Sequence, residues 1–444
     1  EVLAKYRIMD TQEALGIAQK AHAACAGWKK TTFKQRSDLF KSLAKVLGEN
    51  KQEYAEMITR EMGKVIRESL AEVEKCAWLA ETLATDGEGW LKEEQINAGG
   101  KKHVITFEPL GTVYLIMPWN YPFWQPFKVA LLPMFAGNTI ILKHAKNVTG
   151  SSLLIEESFI KAGFPKDVFR SVVIGHETSD ALIDSMSVQA VSLTGSVASG
   201  MGVAARAGKN IKKTVLELGG SDPFIVLEGA DIGKAAKAAV SGRMGNSGQV
   251  CIGAKRIIVQ KSIAEEFTKE FAANVAMLRQ GDPMDPETDI GPLVDDKSLA
   301  DMESFVEDAM GKGARIISGG ERLAGKGSFY KPTIIAHTSE GMRALKEEVF
   351  GPVVPIIIVE GADEAVGVAN DTVFGLGASV WTRDLEKGEA IARRLECGGV
   401  FINHISSSHP LLPLGGIKMS GYGRELSHIG IKEFVNAKPI SIYE

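Results

Sequence analysis

One of the chain's four cysteines, Cys251, stands in a sequence that favours chemistry over packing. Cys25, Cys76 and Cys397 lie in runs with a helical pattern, such as "IARRLEC", where a free cysteine behaves as a small buried hydrophobic residue. Cys251 follows the turn-forming residues of "NSGQVC" and precedes "IGAKRIIVQ", which is typical of a strand. Because the electrostatic surroundings of a thiol decide its reactivity, the position alone leaves both a nucleophile and a buried bystander open.

A carboxylate, Glu217, could serve such a nucleophile as a general base. It ends an apolar run in "LELGGSDPF", just before a glycine pair that lets the backbone turn tightly. Burial of a carboxylate favours its neutral form and raises its pKa towards neutral pH, which suits a general base. The competing interpretation is a glutamate that caps a helix or joins a salt bridge.

An amide in "MPWNYPFWQ" could stabilise an oxyanion. Asn120 follows a predicted strand and lies between Trp119 and Tyr121, ahead of a proline. Its side chain could donate a hydrogen bond to developing negative charge, and the aromatic rings could line a tunnel. An ordinary asparagine turn with aromatic residues in the core would give the same pattern.

A second turn could hold a phosphate group. In "LTGSVASG", Gly195 and Ser196 follow a strand-like run and precede a predicted helix, and a helix N-terminus in that position can seat a pyrophosphate. The spacing is not G-x-G-x-x-G, so this signal is weak on its own.

The elements that must position these residues form an α/β chain. Residues 11–90 have a helical pattern, and "EYAEMITREMGKVIRESLAEVEKCAWLAETLA" within them predicts one long helix. The Gly99-Gly100 turn in "EEQINAGGKKHVITFEPLG" predicts a hairpin. From Gly111 short apolar strands alternate with helices, as in a parallel sheet, and a second block of this kind begins near Gly219. The closing "AKPISIYE" predicts an edge strand without a partner in its own block.

The composition excludes several classes of protein. A formal net charge of −4 gives no electrostatic basis for binding nucleic acid or a membrane surface, and no apolar run approaches the roughly 20 residues of a membrane helix. Four widely spaced cysteines indicate a reducing, cytoplasmic compartment without disulfides. His404 and His409 lack a neighbouring carboxylate or cysteine cluster, so we expect no metal site. The chain starts at Glu1 without a methionine, so we expect a longer natural N-terminus.

Taken together, these segments resemble the NAD(P)-dependent aldehyde dehydrogenase superfamily. The resemblance covers essentially the whole chain and rests on seven motifs in the family's order: "PWNYP", "LKHAK", "LTGSVASG", "LELGGSDPF", "NSGQVC", "EEVFGPV" and "PLGGIKMSGYGREL". Within the superfamily, "LKHA", "LELGGSDPFIVL" and "RLECGGVFIN" are most similar to the succinate-semialdehyde dehydrogenase branch. The resemblance therefore implies oxidation of an aldehyde to a carboxylic acid, with succinate semialdehyde as the expected substrate.

The resemblance also implies the fold, an α/β aldehyde dehydrogenase-like architecture. A Rossmann-like cofactor domain would comprise residues 1–91 and 111–218, and a catalytic domain would comprise 219–431. A β-hairpin oligomerisation flap would combine 92–110 with 432–444, so that the last strand finds its partner in the hairpin. Because such a flap exposes edges and apolar surface that a second subunit covers, we expect a homodimer or homotetramer.

The resemblance assigns a role to each catalytic candidate. Cys251 would attack the aldehyde carbonyl as a thiolate and give a thiohemiacetal, and Asn120 would hold the oxyanion. After hydride transfer a thioester remains on Cys251, and Glu217 would activate the water that hydrolyses it. Glu425 in "GRELS" would relay a proton to Glu217.

The resemblance further implies a nicotinamide cofactor. Many relatives that use NAD have a glutamate where this chain has Lys146; a carboxylate would repel a 2′-phosphate, whereas an ammonium would pair with it. We therefore expect NADP to be preferred and NAD to be accepted, although a solvated surface lysine remains the alternative. The implied cofactor contacts are Trp119, Lys143, Lys146, Gly195, Ser196, Leu218, Glu348 and Phe350.

The expected substrate contacts are Tyr121, Lys128 and Ser408. Lys128 occupies a tunnel position that is commonly arginine in the succinate-semialdehyde branch, and a lysine keeps the cation but loses the bidentate fork. We expect it to bind the distal carboxylate of an acidic aldehyde, with Ser408 as a neutral donor. Arg243, eight residues before Cys251, could assist or could be a surface charge.

Three functions remain open at this stage. The leading one is a hydrolytic aldehyde dehydrogenase for succinate semialdehyde or for another, neutral or aromatic, aldehyde. An acylating enzyme that passes the thioester to coenzyme A is less favoured, because that branch tends to lack a base at the position of Glu217. A catalytically silent binding protein is disfavoured by the presence of Cys251, Asn120 and Glu217 together.

Overall fold

The computed structural model describes residues 2–443, in which helices pack around three β-sheets. The α-helices of these residues are α1 (Thr11–Trp28), α2 (Phe33–Glu49), α3 (Lys51–Met62), α4 (Ile66–Trp90), α5 (Trp124–Phe135), α6 (Thr149–Lys161), α7 (His176–Asp184), α8 (Val197–Lys209), α9 (Ile232–Met244), α10 (Ala264–Ala276), α11 (Asp296–Gly311), α12 (Arg343–Lys346), α13 (Ala362–Asn370), α14 (Leu385–Ala392) and α15 (Ser427–Gly430).

The strands fall into sheets of six, seven and three members. The six-stranded sheet has the order β15-β7-β6-β3-β4-β5, the seven-stranded sheet β10-β11-β12-β9-β8-β13-β14, and the three-stranded sheet β1-β2-β16. Their bounds are β1 (Glu94–Gln95), β2 (Lys102–Pro109), β3 (Thr112–Met117), β4 (Thr139–His144), β5 (Phe169–Ser171), β6 (Ala190–Thr194), β7 (Lys213–Glu217), β8 (Asp222–Val226), β9 (Ala254–Gln260), β10 (Arg315–Ser318), β11 (Thr333–Ala336), β12 (Val353–Val359), β13 (Gly377–Trp381), β14 (Gly399–Ile402), β15 (Gly421–Tyr422) and β16 (Val435–Ile442).

The six-stranded sheet gathers several candidate residues at one edge. Strands β3 to β7 run parallel, as their apolar runs predict, and β15 pairs antiparallel with β7. Because the carboxyl ends of parallel strands meet at the same edge, residues at the ends of β3, β6 and β7 come together there. These residues are Asn120, Gly195, Ser196 and Glu217.

The N-terminal helices differ from the prediction in one place. The run predicted as one long helix is two, α3 and α4, separated at Gly63, whose φ of 82° ends α3 in a left-handed turn. A Cβ at this position would lie 2.7 Å from Pro292, so only glycine allows the approach of that segment. The sequence pattern stays helical across the break, and therefore the break could not be recognised locally.

The seven-stranded sheet forms the second α/β block. The predicted strands in "DPFIVL", "KRIIVQ", "ARIISGG", "VVPIIIV", "ASVWT" and "GGVFIN" are confirmed as β8, β9, β10, β12, β13 and β14. Strand β11 was not predicted, because its four residues form too short an apolar run. Strand β9, which follows the Cys251 loop, lies in the middle of the sheet and is paired on both sides, with β8 and with β12.

The last strand leaves its own block, as expected. Strand β16 pairs antiparallel with β2 over eight residue pairs, from Val435 opposite Pro109 to Ile442 opposite Lys102. The predicted hairpin is also confirmed, since β1 pairs antiparallel with β2. The domain boundaries that the resemblance implies stay a prediction.

Candidate active site

Cys251 lies in a loop whose backbone is held in an unusual conformation. A short 3-10 turn precedes it, in which Asn246 and Ser247 have positive φ angles of 49° and 54°. The Asn246 side chain donates to the backbone carbonyl of Asn120 at 2.8 Å and ties this turn to the six-stranded sheet. Non-glycine residues keep positive φ only where their surroundings impose it, often at functional sites. The loop therefore holds Cys251 in a fixed place before β9.

The Cys251 thiol is half-buried and close to charged side chains. Burial raises its pKa well above the ordinary value, and the negative charge of Glu217 raises it further, while Lys128 and Lys255 oppose this effect. A thiol that is kept neutral needs a base before it can attack a carbonyl. Glu217, whose charge acts on this thiol and whose carboxylate oxygens have no hydrogen-bond partner among the described residues, is the candidate to take its proton.

The Asn120 amide is buried beside the cysteine loop, with 3% of its surface exposed. Its Nδ2 donates to the backbone carbonyl of Gln249 at 3.0 Å, two residues before Cys251. A side-chain amide carries two N–H donors, so the second one remains able to bind an oxyanion. Asn120 and Cys251 line the same cavity, and the role of Asn120 as an oxyanion donor stays a prediction.

Glu217 and Glu425, the two candidate catalytic carboxylates, share one buried cation. Lys128 Nζ lies 2.5 Å from Glu425 and 3.8 Å from Glu217, and all three side chains are buried. Burial raises the pKa of Glu425 to about 7; Lys128 lowers it and Glu217 raises it. Burial alone would lower the pKa of Lys128, but the charges of Glu425 and Glu217 outweigh burial and raise it. Glu425 can therefore gain or lose a proton near neutral pH.

This position of Lys128 differs from the expectation that it holds a substrate carboxylate. The ammonium is already paired with Glu425, and a substrate would have to displace that partner. It also faces Glu217, so the ammonium lies between two carboxylates of the chain itself. Helix α5 is buried along its whole length, and a sequence does not show which way each of its side chains points.

One open cavity joins most of the cofactor candidates to three of the candidate catalytic residues. Besides Cys251, Asn120 and Glu217, its lining includes Trp119, Gly195, Ser196, Leu218, Glu348 and Phe350. Lys143 is half-buried in β4, and burial lowers its pKa. Lys146 is exposed in the turn after β4. Neither lysine is part of the cavity lining.

Two buried cations hold the wall of this cavity in place. They are Lys255, which the sequence did not single out, and Arg243, whose role the sequence left open. Lys255 Nζ contacts Glu348 at 2.5 Å and the Cys251 carbonyl at 3.0 Å, and thereby links the cofactor side to the cysteine loop. The Arg243 guanidinium is completely buried and donates to the carbonyls of Val349 and Val353, each at 2.9 Å. A lysine at the start of the apolar strand β9 is the signal that could have identified Lys255, whereas "SGRMGNSG" around Arg243 offers no such signal.

Tyr121 and Ser408, two of the expected substrate contacts, each contact a lysine side chain. Tyr121 is under the Lys64 ammonium, which lies 3.6 Å from its ring centre. Ser408 accepts a hydrogen bond of 2.7 Å from Lys75 Nζ, a lysine on α4 that the sequence did not single out. Ser408 and Ile252, the residue after Cys251, line the same small cavity.

Metal-binding clusters and membrane-spanning helices are both absent from residues 2–443. Residues 2–443 contain no cluster of three or more histidine, cysteine, aspartate or glutamate side chains arranged to bind a metal ion. Within the same range, every helix is too short or too polar to cross a lipid bilayer.

Comparison with known proteins places the chain among enzymes. The aldehyde dehydrogenase family matches residues 1–440. A succinate semialdehyde dehydrogenase [NAD(P)+] of Escherichia coli is 43% identical, and the alignment covers 97% of this chain and 93% of that protein. A succinate-semialdehyde dehydrogenase [NADP(+)] of Mycobacterium tuberculosis is 42% identical over 95% of this chain and 93% of its own.

Solved structures agree with the sequence relatives. The succinic semialdehyde dehydrogenase of Streptococcus pyogenes in complex with NADP+ superposes with a TM-score of 0.98 and is 35% identical, over all of this chain and 98% of its own. The family match, the relatives and this shared fold agree with the geometry around Cys251. The chain belongs to the aldehyde dehydrogenase family.

Proposed function

We propose that this chain oxidises succinate semialdehyde to succinate, with NADP as preferred hydride acceptor and NAD as an alternative. The observation that carries the chemistry is the single cavity that joins Cys251, Asn120 and Glu217 to Ser196 and Phe350. The substrate and cofactor are those in the names of relatives 43% and 42% identical to this chain.

The residues present fit a nicotinamide dinucleotide. Ser196 caps the 13-residue helix α8, whose first turn contains no acidic residue, so its N-terminus suits a pyrophosphate. Phe350 and Glu348 lie on the same cavity as Cys251 and would hold the nicotinamide end. Lys146 would pair with a 2′-phosphate. When bound, the cofactor supplies the hydride acceptor.

The chain's own residues supply the remaining chemistry. Glu217 takes the thiol proton while the Cys251 sulfur bonds to the aldehyde carbon, and the Asn120 amide donates to the resulting oxyanion. Once the carbon has lost its hydride, a thioester remains on Cys251. Glu217 passes the thiol proton to Glu425 and then removes a proton from water, the new oxygen bonds to the carbon, and the acid is released as the sulfur leaves and regains a proton from Glu217. Glu425 would accept the excess proton, since its pKa is about 7.

Hydrolysis is favoured over transfer to coenzyme A. Glu217 and Glu425 lie together beside Lys128, which supplies a base and a proton acceptor within the buried site. An acylating enzyme does not need a base and a proton acceptor to activate water, because the thiol of coenzyme A replaces water as the nucleophile.

A panel of aldehydes with NADP and NAD tests the proposal. Succinate semialdehyde with NADP should give the highest kcat/KM, because both anionic groups meet a lysine. Cys251→Ala should abolish turnover while NADP binding, measured by quenching of tryptophan fluorescence, stays nearly intact. Substantial turnover in Cys251→Ala contradicts the proposed nucleophile, and formation of an acyl-coenzyme A product contradicts hydrolysis.

We further infer the assembly and the compartment. The β2–β16 sheet exposes apolar side chains, including Ile440 and Ile442, that a second subunit could cover. This supports a homodimer or homotetramer, whose mass light scattering would measure. The four free cysteines support a reducing, cytoplasmic compartment.

A further inference from the structure

Helix α4 brings an ammonium group to the loop that carries Ser408. Lys75 Nζ donates to Ser408 Oγ at 2.7 Å and lies 4.6 Å from the ring centre of Trp124. Glu72, one turn earlier on the same helix, is paired with Lys64 instead. Lys75 thus forms no salt bridge with any residue between 2 and 443, although it is half-buried.

The surroundings of Lys75 connect it to the reacting cysteine. Ser408 lines a cavity with Ile252, which directly follows Cys251. Trp124 begins helix α5, the same helix that places Lys128 against Glu217 and Glu425. Lys75 therefore lies outside the pair Glu217 and Glu425, and it contacts one lining residue, Ser408, of the cavity that also includes the neighbour of Cys251.

We propose that Lys75 supplies the cation that binds the distal carboxylate of succinate semialdehyde, beside Ser408, the neutral donor that the family resemblance implies. This assignment rests on the proposed function, because it concerns the end of the substrate remote from Cys251. A carboxylate that leaves water needs a cation or hydrogen-bond donors, and Lys128 is committed to Glu425. The Lys75 ammonium has three N–H donors, of which Ser408 uses one.

The electrostatics of the site support binding of an anion. Burial lowers the pKa of Lys75 to about 8, Cys76 and Glu72 oppose the shift, and the positive charge of Lys128 contributes to it. A substrate carboxylate would relieve this repulsion and favour the charged ammonium. Trp124 adds an aromatic face that stabilises the cation and keeps water away from one side.

Kinetics of Lys75→Gln test the assignment. Its kcat/KM for succinate semialdehyde should fall by about 10- to 30-fold, the low end for a charge-assisted contact because the lysine is only half-buried. Most of the change should be in KM, and butanal should be unaffected. Lys75→Arg should restore much of the loss, and Lys41→Gln, at an exposed position on α2, is the matched control.

A pH profile gives a second readout. As the pH rises through about 8, Lys75 loses its charge, so the wild-type KM for succinate semialdehyde should rise while that for butanal stays flat. Lys75→Arg should remove this rise, since arginine stays charged. The other titratable groups facing the site, namely Lys128, Glu72, Cys76 and His409, are unchanged in that variant.

The outcomes separate the two proposals. A wild type that prefers butanal to succinate semialdehyde overturns the proposed substrate. A wild type that prefers succinate semialdehyde, but loses less than about twofold in Lys75→Gln, overturns only the assignment of Lys75. Equal losses on both aldehydes also overturn it, because they indicate that the bond to Ser408 only holds the loop in place.

Discussion

Replacing Lys128 by methionine is expected to slow hydrolysis of the thioester formed from every aldehyde, charged or neutral. The ammonium lies 2.5 Å from Glu425 and 3.8 Å from Glu217 in a buried site. Methionine fills a similar volume without the charge, so the change isolates the electrostatic contribution. Without a cation between them, the two carboxylates repel each other and retain a proton to a higher pH.

The magnitude follows from Coulomb's law. At the 3.8 Å between Lys128 and Glu217, an effective dielectric constant of about 20 gives an attraction of roughly 4 kcal/mol. One pH unit corresponds to about 1.4 kcal/mol, so the midpoint of hydrolysis could rise by up to about 3 pH units. Relaxation and entry of water reduce this shift, and we expect at least about one unit to remain. Hydrolysis near neutral pH should then slow by about tenfold or more.

Rapid mixing with succinate semialdehyde and with butanal, across neutral and alkaline pH, measures this effect. The initial burst of NADPH reports hydride transfer, and the later phase reports hydrolysis. Lys64→Met is the matched control, because it removes the cation of another buried ion pair, with Glu72, that lies outside the catalytic pair. That control should lose stability without moving the pH midpoint.

Selective loss of succinate semialdehyde turnover in Lys128→Met would refute the reasoning. If butanal were oxidised as before and the pH midpoint stayed in place, Lys128 would bind the substrate carboxylate, as the family resemblance implied. Glu425 would then have to give up its contact with Lys128 during each turnover.

Two further variants test the base and the cofactor. Glu217→Gln should transfer hydride once per site, more slowly than the wild type because Glu217 also takes the thiol proton, and should then accumulate the thioester because it cannot activate water; absence of the thioester on Cys251 by mass spectrometry would count against a role in hydrolysis. Lys146→Glu should raise KM for NADP much more than KM for NAD, because a 2′-phosphate carries about −1.5 to −2 charges. Lys209→Glu, which makes the same charge change at an exposed position of α8, is the control, and equal effects on both cofactors would place Lys146 in solvent.

Local sequence patterns predicted most of the strands. The apolar runs before Asn120, Gly195 and Glu217 marked the ends of parallel strands, and the parallel arrangement brings such ends to one edge. The pattern failed at Gly63, where the helical periodicity continues through a turn that depends on Pro292 from a distant segment. Features that depend on a neighbour far along the chain leave no local signal.

The candidate site was predictable where family motifs run through it and less so elsewhere. Lys75 pairs with Ser408 across 333 positions of sequence, and Lys255 meets Glu348 across 93. No motif joins those residues, and the direction of a lysine side chain depends on the packing around it. Lys128 shows the same limit, because its position was expected but its partner, Glu425, lies far away in the chain.

Two lysines, Lys128 and Lys75, offset the charge repulsion that an acidic aldehyde would meet in this site. The substrate carries a negative charge towards Glu217 and Glu425. Because the pKa of Glu425 is about 7, its charge is partly lost near neutral pH, and Lys128 offsets the charge that remains. Lys75, which has no carboxylate partner in the described part of the chain, then makes the outer end attractive to an anion. With Lys128 alone, the substrate could bind only by drawing that cation away from Glu425, so binding would oppose hydrolysis.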